Sequence, residues 1–199
     1  NLYGATKLTS DRLFVSGNSY SGAHSTRFAV VRYGNVMGSR GSVIPYFLSI
    51  AKDDTLPITD KRMTRFMISL EDAVKLVWHA FDDMKGGEIY VKKIPSMKIT
   101  EVALAVSNTA KQVEVGIRPG EKLHEQMIGV EDAQYTYEYP EYFKILPSIN
   151  FWHIDPERIN GGIKVDQEFT YCSDTNKHWM NIEELRNWIE KNRKKIGNI

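Results

Sequence analysis

Apolar residues fall in short blocks separated by turns rich in glycine, proline and polar residues, and their spacing predicts alternating helices and strands. A first helix is predicted from Leu2 to Tyr20, ending near Ser21-Gly22, with a loose apolar period. Arg27 to Tyr33 reads as a buried strand, its β-branched run suiting a parallel sheet covered on both faces. A loop with three glycines, Gly34 to Ser42, leads into a helix from Val43 to Lys52 and then two extended pieces, Leu56 to Thr59 and Met63 to Ile68. The clearest helix starts at Ser69, where Ser69 and Asp72 have nearly capping-box spacing. Ala73, Val77, Phe81 and Met84 form its expected apolar stripe, and Gly86-Gly87 ends it.

A strand from Glu88 to Lys93, a helix from Thr100 to Ser107 and a strand from Gln112 to Ile117 follow. Alternation at this pace predicts an α/β architecture with a mainly parallel sheet. Val130 to Gly162, dense in Tyr, Phe and Pro, shows too weak a pattern for assignment. Glu168 to Cys172 reads as a strand, and Asn181 with Glu184 opens a last helix with Ile182, Leu185 and Ile189 on one face. The basic run Lys191 to Lys195 complements that helix's C-terminal dipole and reads as a solvated end. No internal repeat or low-complexity linker is visible.

A length of 199 residues allows one compact domain or a large part of a bigger one. Lys+Arg 26 against Asp+Glu 25 leaves +1, so no global field argues for nucleic acid or a membrane surface. The single cysteine, Cys172, excludes an internal disulfide and suits a reducing, cytoplasmic setting. No apolar run has the length of a membrane span. The five histidines are scattered, so no metal is expected, and the tryptophans read as core or interface residues. A start at Asn1, with a catalytic-type motif in the first residues, leads to the expectation that the sequence begins inside a longer protein.

That motif is Tyr3 and Lys7. Four residues apart on a helix they share a face, and a nearby positive charge favours a phenolate, making Tyr3 a usable base. Tyrosine and lysine at this spacing also form ordinary surface pairs. The loop Tyr33 to Ser42 lies past the carboxyl end of a predicted parallel strand, where open α/β sheets bind ligands. Its glycines let backbone approach a ligand, Asn35 offers donor and acceptor, and Arg40 can neutralise a phosphate. A tight glycine turn with a surface arginine has the same sequence. Thr59 puts a hydroxyl at the end of an extended piece, and Arg65 precedes the clearest helix. Arg118-Pro119-Gly120-Glu121 combines a guanidinium, a rigid turn and a carboxylate suited to paired ribose hydroxyls. Each of these is also compatible with a solvated turn holding an ion pair.

Eight strings in order carry a resemblance: Asn1 to Lys7, Val30 to Val36, Gly38 to Val43, Pro57 to Asp60, Met63 to Phe66, Gly86 to Ile89, Ile94 to Lys98 and Gly116 to Glu125. Together they resemble the extended short-chain dehydrogenase/reductases of polysaccharide biosynthesis, most closely the inverting UDP-N-acetylglucosamine 4,6-dehydratases of pseudaminic acid biosynthesis. Retaining dehydratases of the membrane-bound branch usually have methionine where this chain has Tyr3. The resemblance implies an α/β chain forming the C-terminal part of a Rossmann-like extended fold with a smaller substrate-binding subdomain. About 1–34 and 64–92 would complete the dinucleotide-binding sheet and helices, and about 35–63 and 93–199 would mainly bind the nucleotide sugar.

It further implies NADP as cofactor, UDP-N-acetylglucosamine as substrate and a homo-oligomer. Tyr3 would take the proton of the sugar 4-hydroxyl, Lys7 would hold the nicotinamide ribose and depress the Tyr3 pKa, and Val36 would contact the cofactor near the nicotinamide. Asn35, Arg40, Gly41, Ser42, Val43, Ile44, Pro45, Thr59, Arg118 and Glu121 would hold the UDP-sugar, with Arg65 a further diphosphate candidate. The family's glycine-rich dinucleotide turn and its Thr-Asp-Lys elimination trio precede its Tyr-x-x-x-Lys and are not in these residues. The expectation is that these residues alone are inactive, bind cofactor poorly and leave an open sheet edge. A 4-epimerase on the same scaffold and a non-catalytic nucleotide-sugar binder are the alternatives.

Overall fold

The computed structural model describes residues 2–22, 24–52 and 54–197, with the side chains of Tyr3 and Asn150 outside that description. In chain order the elements are α1 (Leu2–Tyr20), β1 (Val30–Arg32), β2 (Asn35–Val36), α2 (Val43–Ile50), β3 (Thr55–Ile58), β4 (Thr64–Ile68) and α3 (Leu70–Asp83). There follow β5 (Ile89–Lys92), β6 (Ser96–Lys98), α4 (Ile99–Val106), β7 (Lys111–Glu114), β8 (Gln126–Ile128) and α5 (Val130–Ala133). The last are β9 (Thr136–Glu138), β10 (Tyr142–Ile145), a 3₁₀ turn (Ile149–Ile154), α6 (Pro156–Ile159), β11 (Ile163–Lys164), β12 (Tyr171–Cys172) and α7 (Ile182–Asn192).

The chain divides into two compact units. The first is Asn1–Tyr33, Glu71–Lys93 and Gln126–Tyr171; the second is Gly34–Leu70, Ile94–Glu125 and Cys172–Ile199. Residues 126–171, grouped by the sequence reading with the sugar-binding part, therefore pack with the strands that carry β1 and β5.

The first unit is built on a five-stranded sheet of order β1-β5-β10-β9-β11. Only β1 and β5 pair in parallel there, Val30 opposite Ile89 and Arg32 opposite Val91; β10, β9 and β11 add antiparallel strands. The mainly parallel sheet expected from helix-strand alternation is thus mixed, because the stretch without clear periodicity supplies its own hairpin. Tyr137, Phe143 and Ile145 are buried in that hairpin. Their aromatic density gives cross-strand packing without the strict alternation by which strands are recognised.

On this sheet α3 buries Ala73, Leu76 and Ala80, whereas Phe81 is 60% exposed. The expected stripe through Val77 and Phe81 is one helix position away from the real one. Both spacings fit a helical period, and the small Ala80 makes room beside the ring of Tyr90, with which Leu76 also clusters. At the end of α3, Asp83 accepts from Tyr90 Oη at 2.7 Å and from Lys144 Nζ at 2.7 Å. Burial alone would push the Asp83 carboxyl up; the bonds from Lys144 and Tyr90 outweigh it and hold it low. Burial and that same carboxylate push the Tyr90 phenol far up, and burial with Asp83 pushes Tyr142 up to about 12.

The second unit has a three-stranded sheet, β2-β4-β6, and a parallel pair, β3-β7. β2 runs parallel to β4 with Asn35 opposite Met67, and β3 parallel to β7 with Thr55 opposite Lys111. Its core joins Met37, Ile44, Phe47, Leu56, Ile58, Met63, Met67, Ile99 and Val102 to Leu185 and Ile189 of α7. The helix α7 starts where its sequence signals a cap: Glu184 N–H donates to Asn181 Oδ1 at 2.9 Å while Asn181 N–H donates to Glu184 Oε2 at 2.8 Å. Only Tyr171 and Cys172 of the expected strand from Glu168 are extended. Among the described residues no helix is long and apolar enough to cross a membrane.

Candidate functional site

Within the second unit a cavity of about 1020 Å³ is formed around the end of β2, the start of α2, the end of β3, and β4. Asn35 and Val36 of β2 reach it first, and the chain then turns tightly, Ser39 N–H donating to Val36 O and Ser42 N–H to Ser39 O. Gly38 has φ +73° in this turn, a left-handed conformation glycine adopts without strain.

The chain enters α2 at Val43 with Ser42 as N-cap. An N-cap hydroxyl ordinarily accepts from the second or third helical N–H, but the third position is Pro45, which has none. Ser42 makes no capping bond, and its buried Oγ has no hydrogen-bond partner among the described residues. Gly41, Ser42, Val43, Ile44 and Pro45 all line the cavity.

Thr59 lies just past β3, facing the same space. It is followed by a turn locked by Asp60, whose carboxylate accepts from Arg62 N–H at 2.8 Å, Nε at 3.0 Å and Nη2 at 2.7 Å. Those bonds from Arg62 hold the Asp60 carboxyl down at about 2.

The opposite rim comes from the segment after β7. Val115 N–H donates to Ile58 O, extending the β3-β7 pairing. Arg118 to Glu121 then form a turn in which Glu121 N–H donates to Arg118 O at 2.9 Å. Pro119 in second place and Gly120 at φ +78° in third suit a type II geometry. Both Arg118 and Glu121 line the cavity. Among the described residues the Arg118 guanidinium has no ion-pair partner. Burial pushes the Arg65 guanidinium below the usual arginine value, against the opposing pull of Glu125 and Glu121.

Of the sequence candidates, the cavity brings together Asn35, Val36, Gly41, Ser42, Val43, Ile44, Pro45, Thr59, Arg65, Arg118 and Glu121. Arg40 is exposed and is not among the lining residues. Tyr3 and Lys7 belong to the first unit on α1, where the Tyr3 side chain lies outside the described residues and Lys7 is exposed. One turn on, α1 is tied down within that unit: Asp11 pairs with Arg32 Nε at 2.7 Å, and Asp132 bridges Arg12 and Arg32 at 2.9 Å each. The sequence reading missed the apolar wall of Met37, Phe47, Met63, Met67, Ile99 and Val102. A signal existed in the clustering of methionines beside the polar motifs, but an apolar residue next to a motif is indistinguishable from core in sequence alone.

The sequence profile of a family described as "Polysaccharide biosynthesis protein" matches residues 1–147. The chain is 53% identical over 192 residues to a UDP-N-acetylglucosamine 4,6-dehydratase (inverting) of Campylobacter jejuni, covering 93% of this chain and 58% of that protein. It is 32% identical to a UDP-glucose 4-epimerase of Rickettsia canadensis, covering 94% of this chain and 56% of the relative. The crystal structure of Pen from Bacillus thuringiensis superimposes with a TM-score of 0.82 at 34% identity, over 97% of this chain and 57% of that one. The chain thus spans somewhat over half the length of the proteins it matches.

Proposed function

The chain belongs to the polysaccharide biosynthesis protein family and has the α/β, Rossmann-like fold of short-chain dehydrogenase/reductases, and from that premise we propose that its second unit binds UDP-N-acetylglucosamine. The observation that carries this reading is the convergence of Ser42, Thr59, Arg118 and Glu121 on one cavity of about 1020 Å³. A nucleotide diphosphate needs a cation and N–H donors, and a ribose needs an acceptor for paired hydroxyls. Arg118 supplies the first. The N–H groups of Val43 and Ile44 at the start of α2, with the unpartnered Ser42 hydroxyl, supply the second. Glu121 supplies the third. Thr59 and Asn35 offer hydroxyl and amide to the base and sugar, and Arg40 is a further cation at the loop.

In the whole protein we infer NADP-dependent 4,6-dehydration with inversion at C5, giving a UDP-2-acetamido-2,6-dideoxy-4-hexulose; the name of the Campylobacter relative, an inverting 4,6-dehydratase, supports the dehydration and the inversion. Tyr3 takes the proton of the sugar 4-hydroxyl, and Lys7 holds the nicotinamide ribose. Val36, half-buried in the cavity lining, offers an apolar surface that fits contact with a nicotinamide. A bound NADP would supply the acceptor, and later the donor, of the hydride. The family's glycine-rich turn and elimination trio precede its Tyr-x-x-x-Lys, whereas Thr59-Asp60-Lys61 of this sequence follows it, so these 199 residues by themselves are inferred to bind UDP-sugar without turning it over. A cytoplasmic, homo-oligomeric enzyme belongs to the same proposal.

The test is the whole protein incubated with UDP-N-acetylglucosamine and NADP+. The expected product is lighter by one water, and Tyr3→Phe lowers turnover by about a hundredfold or more while UDP affinity is kept. The Rickettsia relative supports a second reading, a 4-epimerase, which predicts a product of unchanged mass. A pure binder gives no product.

A further inference from the structure

Arg65 stands in the cavity lining, yet its donors are turned along the protein. Nη1 donates to Thr64 O at 2.7 Å and to Leu123 O at 3.0 Å, and Nη2 donates to Lys122 O at 2.9 Å. Nε lies 3.4 Å from Glu125 and Nη2 lies 3.9 Å from Glu121, and the side chain is 14% exposed. A guanidinium has five donors in a planar fork, and here three hydrogen bonds from it go to backbone carbonyls while the carboxylates of Glu125 and Glu121 stand at ion-pair range.

The gripped segment is the one that carries Arg118 and Glu121. Arg118 N–H donates to Glu121 Oε2 at 3.3 Å, so the carboxylate near Arg65 also holds the backbone from which the Arg118 side chain springs. Resting on the nucleotide-sugar reading above, we propose that Arg65 is a positioning residue: it holds residues 118–122 against β4 and so places Arg118 at the diphosphate and Glu121 at the ribose, without itself binding phosphate.

The neighbouring stitches make the effect local. Thr64 N–H donates to Leu123 O at 3.2 Å, and Thr64 Oγ1 lies 2.8 Å from His124 Nδ1. Without Arg65 the chain therefore stays attached at 123–124 and is released at 118–122. A lysine ammonium keeps the charge but cannot span the carbonyls of Thr64, Lys122 and Leu123.

The experiment titrates UDP into the wild type, Arg65→Lys, Arg65→Met, Arg118→Met and the Arg65→Met/Arg118→Met double variant, with amide hydrogen exchange on the ligand-free proteins. Both Arg65 variants are expected to weaken UDP by about tenfold, lysine no better than methionine. In the Arg118→Met background the Arg65 change should cost clearly less than its tenfold in the wild type, because the share of its effect that passes through Arg118 is already lost and only the share through Glu121 remains. The Glu121 amide should lose protection in the Arg65 variants while the Thr64 amide keeps it. Rescue by lysine, or losses that multiply in the double variant, would mean direct phosphate contact and overturn the proposal. So would unchanged exchange at Glu121 with normal UDP binding by the wild type. A wild type that does not bind UDP would instead overturn the nucleotide reading and the role given to Arg65 with it. If Arg65→Met does not fold, Arg65→Gln carries the same comparison.

Discussion

Single ionisable residues set two measurable properties. Asp60, held at about 2 by Arg62 against an ordinary value of 3.8, has a lowered folded-state pKa. Its contribution is therefore complete above about pH 4 and is lost as the pH falls through about 2. Urea unfolding across that window should show wild-type stability dropping relative to Asp60→Asn. Parallel curves would contradict the Asp60–Arg62 lock. In the first unit, Lys144 is 1% exposed and its ammonium faces Asp83. Removing the carboxylate leaves a buried charge unpaired, so Asp83→Ala should cost about 3 kcal/mol or more, read from chemical denaturation. A loss below about 1 kcal/mol would show that water reaches the lysine.

At the scale of elements, Gly34 shows what sequence can and cannot tell. Its place before Asn35 suggested backbone approaching a ligand, but what stands over its α-carbon is β4: an added Cβ would lie 2.4 Å from Phe66 Cβ and 2.9 Å from Phe66 O. Gly34→Ala should thus destabilise by about 1–3 kcal/mol through overpacking, measured by thermal or urea unfolding, and an unchanged midpoint would contradict this packing. Helices with caps or glycine stops were legible: α1 spans the expected residues, and α7 starts on the Asn181–Glu184 box. The β9-β10 hairpin was not, because Tyr137, Tyr139 and Tyr142 carry polar tips on apolar bodies and break the binary pattern while burying their rings. The α3 stripe went astray for a related reason. Residue size favoured Phe81, but the fit beside Tyr90 favoured Ala80.

For the molecule as a whole, residues from separate motifs line one cavity. Thr59, Arg118 and Glu121 are scattered in sequence, and the β3-β7 pairing brings their segments to one rim, a long-range contact that local spacing does not encode. This rim is proposed to bind a uridine diphosphate sugar. Calorimetric titration of UDP-N-acetylglucosamine into the protein and into Arg118→Met tests it most directly. Saturable binding is expected, which UDP alone competes away and Arg118→Met weakens by about tenfold or more. No binding, or binding that Arg118→Met leaves unchanged, would contradict it.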